Sequence, residues 1–247
     1  MKNIKLHFFF VLLISLSSCT YVYYPTYPVV PDTKEKGFGI QGTLGFTKAQ
    51  LSAWYALDSN FYFTGMVNGA LSSLRSDTTK IGNDAYHAIS TTFGLGYKKK
   101  LSPKLEFQIQ GGGGASRGYF HTDLFSKDIN LVLLDVDVQS YRAYLQPSFG
   151  LLNKHSTIYF IPRFSYENFN HVEQRVNKNF QQGMSMVSQN FLFGEGYILG
   201  RFFTKAVNID LYFGLSGNLT KSNRGNSGDA FVVQPVTFGF GLSKTFY

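Results

Sequence analysis

The residues of this 247-residue chain best able to move protons are its five histidines and fifteen carboxylates. Three pairings lie close together: Asp84 with His87, His121 with Asp123, and His171 with Glu173. A catalytic histidine needs an acid that orients it and a nucleophile or activated water within hydrogen-bond reach. Close spacing in polar segments meets only the first need and arises readily by chance. No residue is therefore assigned a catalytic role, and a hydrolase acting on a lipid or a peptide through His121 or His171 is the last of three readings. The single cysteine, Cys19, excludes an intrachain disulfide and a paired Cys/His zinc site. Gly94-Leu95-Gly96 lacks the strand-to-helix setting of a dinucleotide site. No metal or cofactor is expected.

A second group consists of charges at alternate positions: Glu106, Arg142, Arg163, Glu195, Arg201 and Asp210. They share their face with Gln41, Thr43, Ser52, Trp54, Tyr62, Asn68, Gln108, Gln110, Tyr144, Gln146, Tyr197 and Tyr212. Enclosed in a narrow space, three arginines and three acids must pair, because an unpaired buried charge costs several kcal/mol. One contact follows from counting. If Lys205-Ala206 is a two-residue hairpin turn, Thr204 faces Val207 and Arg201 falls opposite Asp210. Such pairs either fill an interior or form the ion-selective constriction of a small pore.

The elements that carry these residues read as strands. After residue 36 two-residue alternation recurs between turn signals, and no helical period is sustained. The pattern predicts ten strands near 37–46, 49–57, 61–70, 85–98, 104–117, 138–152, 156–168, 188–203, 207–219 and 230–246. In the seventh, Ile158, Phe160, Pro162, Phe164 and Tyr166 oppose Tyr159, Arg163, Ser165 and Glu167. In the ninth, Leu211, Phe213 and Leu215 oppose Asp210, Tyr212 and Ser216. Short turns, such as Asp58-Ser59-Asn60 and Asn153-Lys154-His155, alternate with long polar connections near 71–84, 118–137, 169–187 and 220–229. Membrane barrels have short periplasmic turns and long outer loops, and an even strand number puts both termini in the periplasm. Aromatic residues reach 17 % while charged residues are only 15 %, against a typical quarter. With polar residues outside, a narrow barrel would have to pack an implausible volume of aromatics. The expectation is all-β: one antiparallel transmembrane barrel over 37–247, of about ten strands, with eight as the alternative. Gly111–Gly114 is read as a bend or close backbone approach within a strand.

The N-terminus reads as an address. Lys2 and Lys5 precede an apolar stretch from Phe8 to Leu16, which is too short to span a bilayer and reads as a signal peptide over 1–18. Leu16-Ser17-Ser18-Cys19 resembles the lipobox of bacterial lipoproteins. That resemblance implies cleavage before Cys19, a diacylglyceryl thioether on its sulfur and an acylated amine. Residues 19–36 carry Tyr21, Tyr23, Tyr24, Pro25, Tyr27, Pro28 and Pro31 and read as an extended tether, its tyrosines at the lipid headgroups. The ending Ser243-Lys244-Thr245-Phe246-Tyr247 partly resembles the C-terminal aromatic signal for barrel assembly. From Gly37 to Tyr247 the pattern resembles the small outer-membrane β-barrel proteins of Gram-negative bacteria, which implies fold and location but no activity.

The formal charge of +8 falls to +6 once Lys2 and Lys5 leave with the signal. Without a basic helix or arginine stripe, nucleic-acid binding is not expected. Lys98, Lys99, Lys100, Lys104, Lys154 and Lys205 fall at turns and are expected to form a basic periplasmic rim facing phospholipid headgroups. The leading expectation is therefore a monomeric, lipid-anchored outer-membrane barrel with a structural or accessory role in the cell envelope. It would present the loops at 118–137 and 169–187. Its partners would be outer-membrane lipids, the assembly machinery during biogenesis and an envelope protein. A narrow passive pore for small solutes is the first alternative.

Overall fold

The computed structural model describes residues 25–32, 36–45, 48–75, 83–126, 129–176, 184–186, 189–220 and 236–246; for 71–75, 83–86, 120–126, 129–136, 171–176, 184–186 and 189 it describes the main chain alone. The strands in chain order are β1 (Gly37–Gly45), β2 (Lys48–Ala56), β3 (Phe61–Arg75), β4 (Asn83–Ser102), β5 (Leu105–Ser126) and β6 (Ile129–Leu152). They continue with β7 (Ser156–Val176), the short β8 (Met184–Met186), β9 (Gln189–Phe203), β10 (Asn208–Asn218) and β11 (Val236–Phe246). Each long strand pairs antiparallel with the next, β9 follows β7, and β11 returns to β1 through partners from Phe38↔Phe246 to Gly45↔Gly239. The wall thus closes with ten strands and leaves no edge, as a bilayer requires. The eight-strand alternative is excluded. β8 lies against the far end of β7 only.

Alternation fixes the faces. Leu44, Phe63, Phe93, Ile158, Phe160, Phe164, Ile198, Leu211 and Phe240 stand outside, each 46–69 % exposed. All the residues expected inside point inward, and apart from the half-buried Arg142 they are buried. An apolar exterior around a polar interior reverses the arrangement of a water-soluble barrel and suits a lipid solvent.

Glycine opposite a large ring makes the interior possible. Across the ladder Trp54 faces Gly39, Tyr62 faces Gly96, Tyr144 faces Gly112, Tyr159 faces Gly150 and Tyr197 faces Gly214. A Cβ at Gly39 would lie 2.1 Å from the Trp54 ring, and one at Gly96 2.1 Å from that of Tyr62. Rings therefore lie flat on the wall and leave the axis free. At Gly112 and Gly114 the obstacle is the neighbouring backbone: a Cβ would come within 2.2 Å of the Phe93 carbonyl oxygen and 2.0 Å of that of Thr91. The glycine run marks close approach of β4 and β5.

The far end departs from expectation. The connection near 118–137 is mostly sheet, because β5 and β6 remain paired as far as Ser126↔Ile129. β7 likewise runs to Val176 and pairs with β6 from Leu134↔Val176. Ile129, Val132, Val136 and Val138 favour the extended pleat, so the ladder continues to the end of the hairpin. Only two residues separate β1 from β2, so the wall is low there and tall at β5–β6. At the opposite end the turns are tight. The Asp58 carboxylate accepts from the backbone N–H of Asn60 at 2.6 Å and of Phe61 at 2.7 Å. These donors, Phe61 foremost, hold that carboxyl below its ordinary range.

Candidate functional site: a lumen filled by its own chain

Three of the expected charges pair with the residue directly across the ladder. Arg201 lies opposite Asp210, as the turn at Lys205-Ala206 implied; its Nε donates to Oδ1 at 2.7 Å and NH2 to Oδ2 at 3.0 Å. At the turn itself Val207 N donates to Thr204 Oγ1. Arg163 lies opposite Glu195, 3.5 Å from NH1 to Oε2. Arg142 lies opposite Glu167, with Nε 2.6 Å from Oε2, and Ser140 Oγ also donates to Glu167. Glu106 instead accepts from Gln108 Nε2 at 2.7 Å and Tyr159 OH at 3.1 Å. Four of the six expected charges thus pair with each other in two separate cross-strand pairs, Arg142 takes Glu167 from outside the set, and Glu106 is held by Gln108 and Tyr159. Glu167 is the partner of Arg142 that the expected set lacked, although it shares the alternation of Arg163 and Ser165.

The lumen also holds residues 25–32. The sequence places them in an outer tether with Tyr27 at the headgroups; instead Thr26, Tyr27, Val29 and Val30 are at most 3 % exposed inside the barrel. A proline-rich segment cannot join a ladder, because proline lacks the N–H. Its backbone carbonyls must find side-chain donors, and the lumen supplies them. Lys48 Nζ donates to the Pro25 carbonyl. Arg163 NH1 donates to that of Thr26 at 2.8 Å, as does Tyr197 OH at 3.1 Å. Gln50 clamps Tyr27 at both ends: Nε2 donates to its carbonyl at 2.9 Å, and Oε1 accepts from its N–H at 2.9 Å. Gln146 Nε2 reaches the Val29 carbonyl at 3.2 Å and Arg201 NH1 that of Val30 at 2.8 Å. Gln108 Nε2 stands 3.5 Å from the Pro31 carbonyl, and Thr245 Oγ1 donates to that of Asp32 at 3.1 Å.

Side chains add a short apolar core. Val30 packs in a buried cluster with Tyr159, Ile161, Tyr197, Leu199 and Tyr212, and Val29 packs with Trp54 and Met66. Tyr27 is the anchor. Its ring lies 5.2 Å from that of Tyr212 and 4.4 Å from Lys48 Nζ, and its hydroxyl donates to the Phe238 carbonyl. It occupies the notch made by paired Gly45 and Gly239, where a Cβ would fall 1.9 Å and 2.4 Å from it. The Arg163 guanidinium sits between the rings of Tyr144 and Tyr197, at 5.5 and 5.4 Å. The segment has a direction: Pro25 lies at Lys48, by the low corner of the loop end, and Asp32 at Thr245, by the turn end. The chain therefore does not simply approach β1 from the periplasmic side.

The other expected sites are placed as follows. Lys99, Lys100, Lys104, Lys154 and Lys205 are exposed around the turn end. Lys98 is a correction to that rim. It is 5 % exposed, because position 98 shares the inward parity of Thr92 and Gly96 on β4. Cys19 and the signal over 1–18 lie outside the described residues. His87 is exposed on β4; the side chains of Asp84, His121, Asp123, His171 and Glu173 lie outside the described residues, although their backbone positions are fixed on β4, β5 and β7. Among the described residues no cluster of His, Cys, Asp or Glu could hold a metal ion.

No family model matches the chain, and no curated protein does. Among solved structures it is similar to the translocator domain of the autotransporter NalP from Neisseria meningitidis, with 9 % identity, 86 % of each chain covered and a TM-score of 0.49. It is also similar to the KdgM porin, with 10 % identity, 85 % of this chain and 99 % of that one covered, and a TM-score of 0.35. A third is a loop-deletion form of OmpT, an outer membrane protein of Vibrio cholerae, with 9 % identity, 85 % and 97 % covered, and a TM-score of 0.27. The class rests on this chain's own register and faces. It is a closed, ten-stranded β-barrel of the outer-membrane type, with part of its own chain seated in the lumen.

Proposed function

We propose that this protein is a plugged outer-membrane barrel with a structural or accessory role in the cell envelope, anchored by an acylated Cys19 and non-conducting at rest. The observation that carries this reading is the burial of residues 25–32 in the lumen, tied by hydrogen bonds to β2, β6, β7, β9 and β11. This favours a closed barrel over the passive pore: an ion would have to pass a segment whose carbonyls are already engaged by Arg163 and Arg201. The exposed lysines at the turn end face the inner-leaflet headgroups.

The test is conductance in a planar bilayer. The full chain, shown to be folded by its heat-shifted migration in a gel, is expected to give no steady current. Replacing residues 25–32 by a Gly-Ser stretch of equal length is expected to open ion-selective steps. Steady steps from the unaltered chain would overturn the plugged reading and restore the pore.

A further inference from the structure

The resident segment is read mainly through its backbone. Seven of its eight carbonyls, those of Pro25, Thr26, Tyr27, Val29, Val30, Pro31 and Asp32, stand within hydrogen-bond distance of a lumen donor. The donors, namely Lys48, Arg163, Gln50, Gln146, Arg201, Gln108 and Thr245, come from strands all around the wall. Two side chains are also held by hydrogen bonds, the Tyr27 hydroxyl donating to the Phe238 carbonyl. The Thr26 hydroxyl accepts from Arg163 NH1 at 2.9 Å, and Tyr27 fills its glycine notch. Backbone contacts that give affinity, with one pocket that gives specificity, define a site for an extended peptide.

We propose that the lumen is a binding site for an extended polypeptide segment carrying a tyrosine flanked by prolines, and that residues 25–32 are its built-in occupant. This rests on the plugged reading and adds to it. Any buried proline-rich plug needs donors for its carbonyls, so the mark of a ligand is the fitted side chain: the Tyr27 ring fills the Gly45–Gly239 notch and its hydroxyl donates to the Phe238 carbonyl. A segment of like chemistry from another exported chain meets the same donors, and its tyrosine takes the place of Tyr27 between Gly45 and Gly239. The low wall at β1–β2 lies beside Lys48, where the first carbonyl is held. The proposed ligand is thus exchanged for the resident segment and undergoes no chemical step.

The host for the test is the full-length chain with residues 25–32 replaced by the Gly-Ser stretch; should it fail to fold, the chain carrying only Tyr27→Ala is the second host. The probe is a fluorescent synthetic peptide, Pro-Thr-Tyr-Pro-Val-Val-Pro-Asp, followed by anisotropy in detergent. Saturable binding is expected, and the peptide is expected to silence the current of the Gly-Ser host. Replacing the peptide's tyrosine by alanine should weaken binding by about thirtyfold or more. Arg163→Met in the host should also weaken it by about tenfold or more. A folded host that shows no saturation at ~1 mM peptide overturns the proposal, as does a peptide whose affinity is indifferent to the tyrosine and to Arg163. The plugged reading is scored separately by the silence of the unaltered chain.

Discussion

Removing the acid of the lower buried pair isolates what the lumen pairs contribute. Arg201 and Asp210 are both 0 % exposed, and two bonds of 2.7 and 3.0 Å join them. In Asp210→Ala the guanidinium stays buried, with the Val30 carbonyl at 2.8 Å as the acceptor that remains and no counter-charge across the ladder. Breaking such a pair by deleting one partner costs about 3–5 kcal/mol, a large share of the 5–15 kcal/mol that typically separates folded from unfolded states. Replacing both members, Arg201→Met with Asp210→Leu, removes the stranded charge and is expected to recover most of that loss. The measurement is a reversible urea titration of the barrel refolded into phospholipid vesicles. The single tryptophan, Trp54, is buried against Gly39 and beside Val29, so its emission reports both wall and plug. A loss below about 1 kcal/mol for Asp210→Ala, or a double variant as unstable as the single one, would refute the reasoning.

Two further outcomes follow from the walls. Gly239→Ala puts a methyl group 2.4 Å from the Tyr27 ring, so a loss of about 1–3 kcal/mol is expected in the same titration, and Tyr27→Ala in the same chain should relieve part of it. Equal stability of Gly239→Ala and the parent would show that no notch is needed. Phe164 is 49 % exposed on the lipid face of β7, and Phe164→Arg should cost about 2–4 kcal/mol if it lies at mid-depth. A change under about 0.5 kcal/mol would place that face outside the hydrocarbon.

Much of the wall was legible because a closed barrel with a lipid exterior leaves one pattern in every strand. Alternation alone separated Ile158, Phe160 and Phe164 from Tyr159, Arg163 and Ser165, and a two-residue turn sufficed to set Arg201 against Asp210. Strand ends at the loop side were not legible. There polar residues enter both parities, and the ladder between β5 and β6 persists without a one-sided apolar signal. The plug escaped for a different reason. Its prolines announce an extended chain, but its place depends on donors more than a hundred residues away, such as Gln146, Arg163 and Arg201. A faint signal did exist: Gln50, Gln108 and Gln146 all point into a space too narrow for bulk water, and their amides need partners. The ring-to-glycine matches were likewise visible only once the register was known, since Trp54 and Gly39 are strangers in sequence and neighbours in the sheet.

The notch for Tyr27 lies across the one junction where the first strand meets the last, because Gly45 belongs to β1 and Gly239 to β11. Only three residues link Asp32 to Lys36 at the foot of β1. The segment therefore hangs from the strand that closes the ring. Tyr27 thus bridges the seam: its ring sits in a notch shared by the first and last strands, and its hydroxyl donates to the Phe238 carbonyl of β11. The seated segment therefore acts as a clasp across the seam, and it supplies acceptors to Arg163, Arg201 and Gln50 on strands that the seam itself does not join.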